Sequence, residues 1–170
     1  MVRRNAPEAC WCGTGKVSQV NDPNSKMWSD IETYGCHILG ISADAEDPNF
    51  CYSIGIEMTR KQPDLIIFGL SDQVASTLIN MYCDLVGDGK SFLPGQEYLD
   101  FAEGYPVIFF PVAKLHYNRY FGRGQSAYGG TDFRVLQMVW PSREGLWPWD
   151  PAASEEYKQK SPLLDGRVLN

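Results

Sequence analysis

Apolar positions in this chain fall into short runs with two different periods. GCHILGIS at residues 35–42 and FCYSIGIE at residues 50–57 read as strands. In the first, Cys36, Ile38 and Gly40 take one face and His37, Leu39 and Ile41 the other. The acidic segment from Asp44 to Asn49 turns the chain between them, so the two runs predict an antiparallel hairpin with a longer loop. LIIFG at residues 65–69 is apolar at every position before its glycine, the pattern of a central strand buried on both faces.

The period then changes. Val74, Leu78 and Tyr82 recur every fourth residue, flanked by Ala75, Ile79 and Val86. Ser71 suits the N-cap, Asp72 stands where the helix dipole favours negative charge, and Gly87 suits the end. YPVIFFPV at residues 105–112 predicts a further strand, with Pro106 and Pro111 placing it at an edge or confining its ends. FRVLQMVW at residues 133–140 closes the sheet, with Phe133, Val135, Gln137 and Val139 on one face and Arg134, Leu136, Met138 and Trp140 on the other. Residues 27–34 predict one short helix and residues 114–121 one or two helical turns. Residues 92–104 hold the Pro94-Gly95 turn signal and little period, and the chain from residue 152 reads as a polar, frayed tail.

Together these elements predict an α+β fold. Its sheet is mostly antiparallel, has about five or more strands and could close in a barrel-like manner, with one main amphipathic helix packed on it. Strand–helix alternation is missing, which excludes a doubly wound nucleotide fold. The organisation expected is an irregular arm over residues 1–30, one domain over 31–151 and a tail over 152–170.

Composition narrows the function classes. A chain of 170 residues suits one domain with a real core. Its net charge of −6 argues against a nucleic-acid groove, which needs clustered Lys and Arg, and is compatible with a basic protein partner. The start, MVRRNAPEACWCG, has two arginines without an apolar region behind them, so it does not read as a secretory signal. No stretch approaches the ~18 apolar residues of a membrane span. Five cysteines without regular spacing suggest reduced thiols rather than a disulfide framework, hence a cytoplasmic protein.

Candidate chemistry is sparse. His37 and His116 are the only imidazoles and the natural general bases, yet neither sits in a Ser-His-Asp, Cys-His or paired-carboxylate pattern. Cys10 and Cys12, with Cys36 and His37 downstream, offer ligand types for zinc. On a regular strand, however, Cys36 and His37 point to opposite faces and cannot both close one site. The expectation is therefore no bound metal, with Cys10 and Cys12 the thiols to test. Tyr128-Gly129-Gly130 forms a loop whose glycines can bring backbone close to a ligand. Tyr117, Tyr120, Phe121 and Tyr128, with Arg119 and Arg123 interleaved, can either stack on a planar ring or cover the core. Gly69-Leu70-Ser71 leads into a helix N-terminus but lacks phosphate-loop spacing, and Asp72 would repel phosphate. Three of the five tryptophans fall between residues 128 and 149, with Trp147 and Trp149 expected to fold back over the sheet edge.

The ordered series GCHILGI, FCYSIGIE, PDLIIFGL, LPGQEY, EGYPVIFFPV, HYNRYFG and YGGTDFRVLQMVWPSREGLWPW resembles the bacterial family catalogued as domain of unknown function 4262. The resemblance covers about residues 34–150. The family element W-P-D-x-x-G-x-[FW]-P-W is matched by Trp140 to Trp149, with Ser142 where aspartate is usual. Cys36 stands where Trp is common, and Ile56-Glu57 replaces the more usual Leu-Thr. The resemblance implies a fold and no established activity. With no catalytic constellation and an aromatic surplus, the expected function is a binding module for a protein partner or ligand, toxin neutralisation being one setting. His37, Tyr52, His116, Tyr117, Tyr128, Gly129, Gly130 and Trp147 are its candidate contacts. The alternative is a small enzyme or FMN binder of split-barrel type.

Overall fold

A computed structural model describes residues 24–166. Six strands form one sheet: β1 (His37–Ile41), β2 (Phe50–Ile54), β3 (Asp64–Phe68), β4 (Glu97–Tyr98), β5 (Val107–Pro111) and β6 (Val135–Val139). Their order across the sheet is β1-β2-β3-β6-β5-β4. Every pairing is antiparallel except β3 with β6, which is parallel. Two three-stranded meanders therefore lie side by side, and the long helix α3 (Asp72–Gly87) carries the chain from the first towards the second.

The sheet is mixed, mostly antiparallel and open. The barrel-like closure expected from the strand pattern does not form: closure would require β1 to pair with β4, and β4 is only two residues long. The strand ending at Trp140 was expected to close the sheet, but β6 lies at its centre, next to β3. Likewise β5 is flanked on both sides, and its proline, Pro111, limits only its end.

Both faces of the sheet are covered, which accounts for the doubly apolar strands. On one face, Leu65, Ile67, Phe109, Leu136 and Met138 meet Ala75, Leu78, Ile79, Tyr82 and Val86 of α3. Ser71 caps this helix as the sequence suggests, its side chain accepting from the Val74 N–H at 3.4 Å. On the other face, Phe50, Tyr52, Ile54, Ile66 and Phe68 pack against Met27 and Ile31 of an N-terminal helix, α1 (Ser25–Tyr34), and against Tyr117, Tyr120, Phe121 and Phe133. All five residues of each of β2, β3 and β6 are buried. The main amphipathic helix thus packs on one face of the sheet as expected, and further helices cover the other, giving three layers.

Three local departures matter for the surface. The run FCYSIGIE ends as a strand at Ile54; Gly55 turns the chain and Ile56–Arg60 forms a short helix, α2. After a 3-10 turn and α4 (Tyr117–Tyr120), Gly122–Tyr128 forms another helix, α5, despite its glycines. The polar C-terminal segment is docked: Ser154 caps α6 (Glu155–Lys160), and Tyr157 and Leu164 are buried. The Gln137 carboxamide, itself buried in β6, fixes this segment by donating to Pro162 O at 2.6 Å and accepting from Leu164 N–H at 2.9 Å.

Candidate functional site

A groove of about 730 Å³ runs between α3 and the segments on either side of β5 and β6. Val74, Leu78 and Met81 of α3 form one wall; Phe101, Tyr105 and Trp140 form the other. Val74 is 47% exposed and Tyr105 48%, large apolar surfaces that the core does not cover. Arg143 is the one charged side chain in the lining. A second hollow of about 710 Å³ shares Tyr105, Pro141 and Arg143 with the first and continues it to Trp147. The two form one trough, apolar along α3 and lined by Glu97 and Glu144 in its second part, with a guanidinium where they meet.

The wall carrying Arg143 is held rigidly. The Trp140 indole N–H donates to Phe68 O at 2.9 Å, and its carbonyl accepts from the Tyr157 hydroxyl of α6. The following turn closes through Ser142 N–H to Leu146 O at 2.7 Å and Gly145 N–H to Ser142 O at 2.9 Å. The Ser142 hydroxyl oxygen accepts from the N–H groups of Glu144 and Leu146, both at 3.3 Å. A serine thus satisfies the turn amides that an aspartate would also cap, so the change at this position leaves the turn intact. Ser142 also donates to the Glu144 carboxylate at 2.8 Å, which holds that carboxyl below its ordinary range. Trp147 stacks parallel on Trp149 at 5.3 Å, and Trp149 meets the edge of Phe110 at 5.6 Å.

A second polar constellation lies in the interior. Asp64, at the start of β3, is fully buried. Its carboxylate accepts from the Ser53 hydroxyl at 2.7 Å, the Ile56 N–H at 3.1 Å and the Tyr128 hydroxyl. The Tyr128 oxygen accepts in turn from the Gly55 N–H at 3.1 Å. Burial pushes the Asp64 carboxyl up to about 6, against the pull of its hydrogen bonds from Tyr128 and Ser53. Burial, with the adjoining carboxylate, pushes the Tyr128 phenol far above its ordinary value. This carboxylate ties the end of β2, the N-terminus of α2, the start of β3 and the end of α5 into one knot. A carboxylate held by donors from three separate segments has the geometry of a structural lock.

The remaining candidates from the sequence are dispersed. Tyr52 is 2% exposed, in the core edge-on to Phe121 at 5.3 Å, and burial pushes its phenol up to about 12. Tyr117 is also buried, donating to Phe133 O at 2.9 Å. The Tyr128 ring stacks on Phe133 at 4.4 Å, and Gly129 and Gly130 end α5, both amides donating to Gln125 O. His37 Nδ1 sits 2.8 Å from an Asp30 carboxylate oxygen at the start of β1. His116 lies in the 3-10 turn against Tyr120, its imidazole held below its ordinary value by burial and by Arg119. Cys10 and Cys12 lie outside the described residues; among those described, no group of three or more His, Cys, Asp and Glu side chains could hold a metal.

Of the sequence candidates, Trp147 lines the trough. The sequence reading missed Phe101, Tyr105, Arg143 and the buried Asp64. One signal was available: Val74, Leu78 and Met81 continue the apolar stripe of α3 further round the helix than a single sheet face covers. For Phe101 and Tyr105 the signal was aromatic residues in a segment without period.

No helix among the described residues is long and apolar enough to cross a membrane. No curated protein and no solved structure matches the chain. The model of one family matches residues 30–154, a span that contains the whole trough and the Asp64 lock. The chain therefore belongs to the family described as domain of unknown function 4262 (DUF4262).

Proposed function

We propose that this domain is a binding module and that the trough between α3 and the turn over residues 141–146 is its site. The observation that carries the reading is a preformed apolar groove of about 730 Å³ with a single guanidinium in its lining. That size and mix of surface lie within the range of ligand-binding clefts, where apolar walls supply affinity and a few polar groups fix orientation. Its elongation through the second hollow suits an extended peptide segment of a protein partner, one with apolar side chains and a carboxylate to meet Arg143. Exposed Val74 and Tyr105 are the surfaces such a segment would cover. Tyr117, Tyr120, Phe121 and Tyr128, the cluster that could have stacked on a planar ring, are instead engaged in core ring contacts and hydrogen bonds. They lend the cofactor reading no support.

Peptide display tests the proposal. A library selected on the full chain and counter-selected on Val74→Glu should yield short apolar sequences carrying one acidic side chain or a free C-terminal carboxylate. Arg143→Glu should weaken the selected peptides about tenfold, the loss of one charge-assisted contact. A library that yields no sequence distinguishing the native chain from Val74→Glu would sink the reading.

A further inference from the structure

The trough changes character along its length. Its first part is lined by Val74, Leu78, Met81 and Phe101 and, among the described residues, by no carboxylate. Tyr105, Pro141 and Arg143 line both parts. Beyond them the second part carries Glu97, Glu144 and Trp147. Glu97 stands on β4 opposite Ile108 of β5. Glu144 is oriented by the Ser142 hydroxyl, which donates to its carboxylate at 2.8 Å. Trp147 is braced by its parallel stack on Trp149 at 5.3 Å. Neither carboxylate nor Arg143 is ion-paired with another described residue.

Two carboxylates beside an indole and a phenol ring complement a cation on a long side chain. The carboxylates supply opposite charge, the aromatic faces attract a cation, and the methylenes of Lys or Arg can lie along Tyr105 and Trp147. An acidic side chain there would meet like charge, and an apolar one would strip water from the carboxylates without replacing its hydrogen bonds. At the junction the reverse holds, because Arg143 repels a cation and accepts a carboxylate. The charges that the trough favours are therefore ordered along it.

We infer that the partner segment filling the trough carries a Lys or Arg beyond its acidic residue, on the side away from its apolar residues, and that Glu97, Glu144 and Trp147 receive it. The inference rests on the trough being a peptide-binding site, as proposed above. The two charged subsites adjoin, and alternate side chains of an extended segment point the same way, so the basic residue stands two positions from the acidic one. The carboxylate at Arg143 is then a side chain within the segment and not a chain terminus. Apolar, acidic, basic is the order that identifies the partner. Exchanging the two charges sets like against like at both subsites, which discriminates against segments of the reverse order.

The test reads the sequences that a random peptide library retains on the full chain after counter-selection on Val74→Glu. Lys or Arg at that spacing from an Asp or Glu should be enriched over the starting library. The most enriched peptide is then synthesised as selected and with its basic residue replaced by Gln. Both are titrated by fluorescence anisotropy against the native chain and against the double variant Glu97→Gln, Glu144→Gln. On the native chain the replacement should weaken binding about tenfold, as expected for a cation beside two exposed carboxylates and an indole. On the double variant it should change binding by about twofold or less, and retained binding of the Gln peptide shows that this variant is folded. Retained sequences without such a basic residue overturn the inference and leave the binding site standing. An equal loss on the double variant overturns it as well, because the cation is then bound elsewhere. A library that yields no discriminating sequence removes the site itself, and this inference with it.

Discussion

Asp64 is a carboxylate removed entirely from water and held by hydroxyl and amide donors alone. Without a counter-charge, burial outweighs three hydrogen bonds, so its folded-state value of about 6 lies above the ordinary carboxylate value near 3.8. The sign follows from linkage. A raised value means the folded chain holds the proton more tightly, so the group favours folding most below about pH 4 and loses that contribution as pH rises through about 6. The difference in unfolding free energy between the native chain and Asp64→Asn should therefore move against the native chain by roughly 2–3 kcal/mol between those limits, and stay flat above them. Urea titrations at a series of pH values measure this, and a difference independent of pH would refute it. Tyr128→Phe keeps the stacking on Phe133 but strips a donor from Asp64 and an acceptor from the Gly55 N–H. A loss of about 2–3 kcal/mol is expected by the same titration, with the Asp64 transition moved to higher pH. None of this is legible in Pro63-Asp64-Leu65 as a string. Burial of an acidic residue depends on which distant segments close over it, and here they come from residues 53, 55–56 and 128.

At the scale of elements, local rules worked where one period dominated. The Ser71 cap, the apolar stripe ending at Gly87 and the fully buried β3 all follow from spacing within a single run. They failed at α5, where Gly122-Arg-Gly-Gln-Ser has poor helix formers, and at β4, two residues too short to carry a period. Glycine pairs mislead for a related reason. Gly129 adopts φ 74° at a helix end with nothing within 4 Å of a would-be Cβ, so Gly129→Ala should cost only about 1–2 kcal/mol, the left-handed backbone term. Gly69 has the similar φ of 73°, but there a Cβ would lie 2.5 Å from the Lys160 carbonyl oxygen of α6. Gly69→Ala adds a clash with backbone to the same strain and should cost roughly 2–4 kcal/mol. Limited proteolysis should then cut first around α6; equal stability and equal proteolysis of the two variants would contradict the close approach.

The molecule as a whole is bound together by contacts distant in sequence, the parallel β3–β6 pair foremost. Its C-terminal segment shows the consequence. Residues 155–166 read as polar tail and lie beyond the family match, yet Tyr157 and Leu164 are buried and the Gln137 carboxamide has both ends occupied by that segment. Ending the chain at residue 153 exposes two large apolar side-chain sites, each worth ~1.5–3 kcal/mol, and leaves a buried amide unpaired. The shortened chain should melt well below the full one in a thermal scan, and an unchanged Tm would refute the docking. What the sequence determined by itself was the inventory: strand and helix periods, the apolar stripe of α3, the acidic balance, and a signature running to Trp149. These are properties of neighbours along the chain, where side-chain spacing alone sets the face. Strand order, the open sheet, the buried Asp64 and the trough beside Arg143 were decided by tertiary structure. Periodicity says which face of an element is apolar but carries no address for the surface that face will meet.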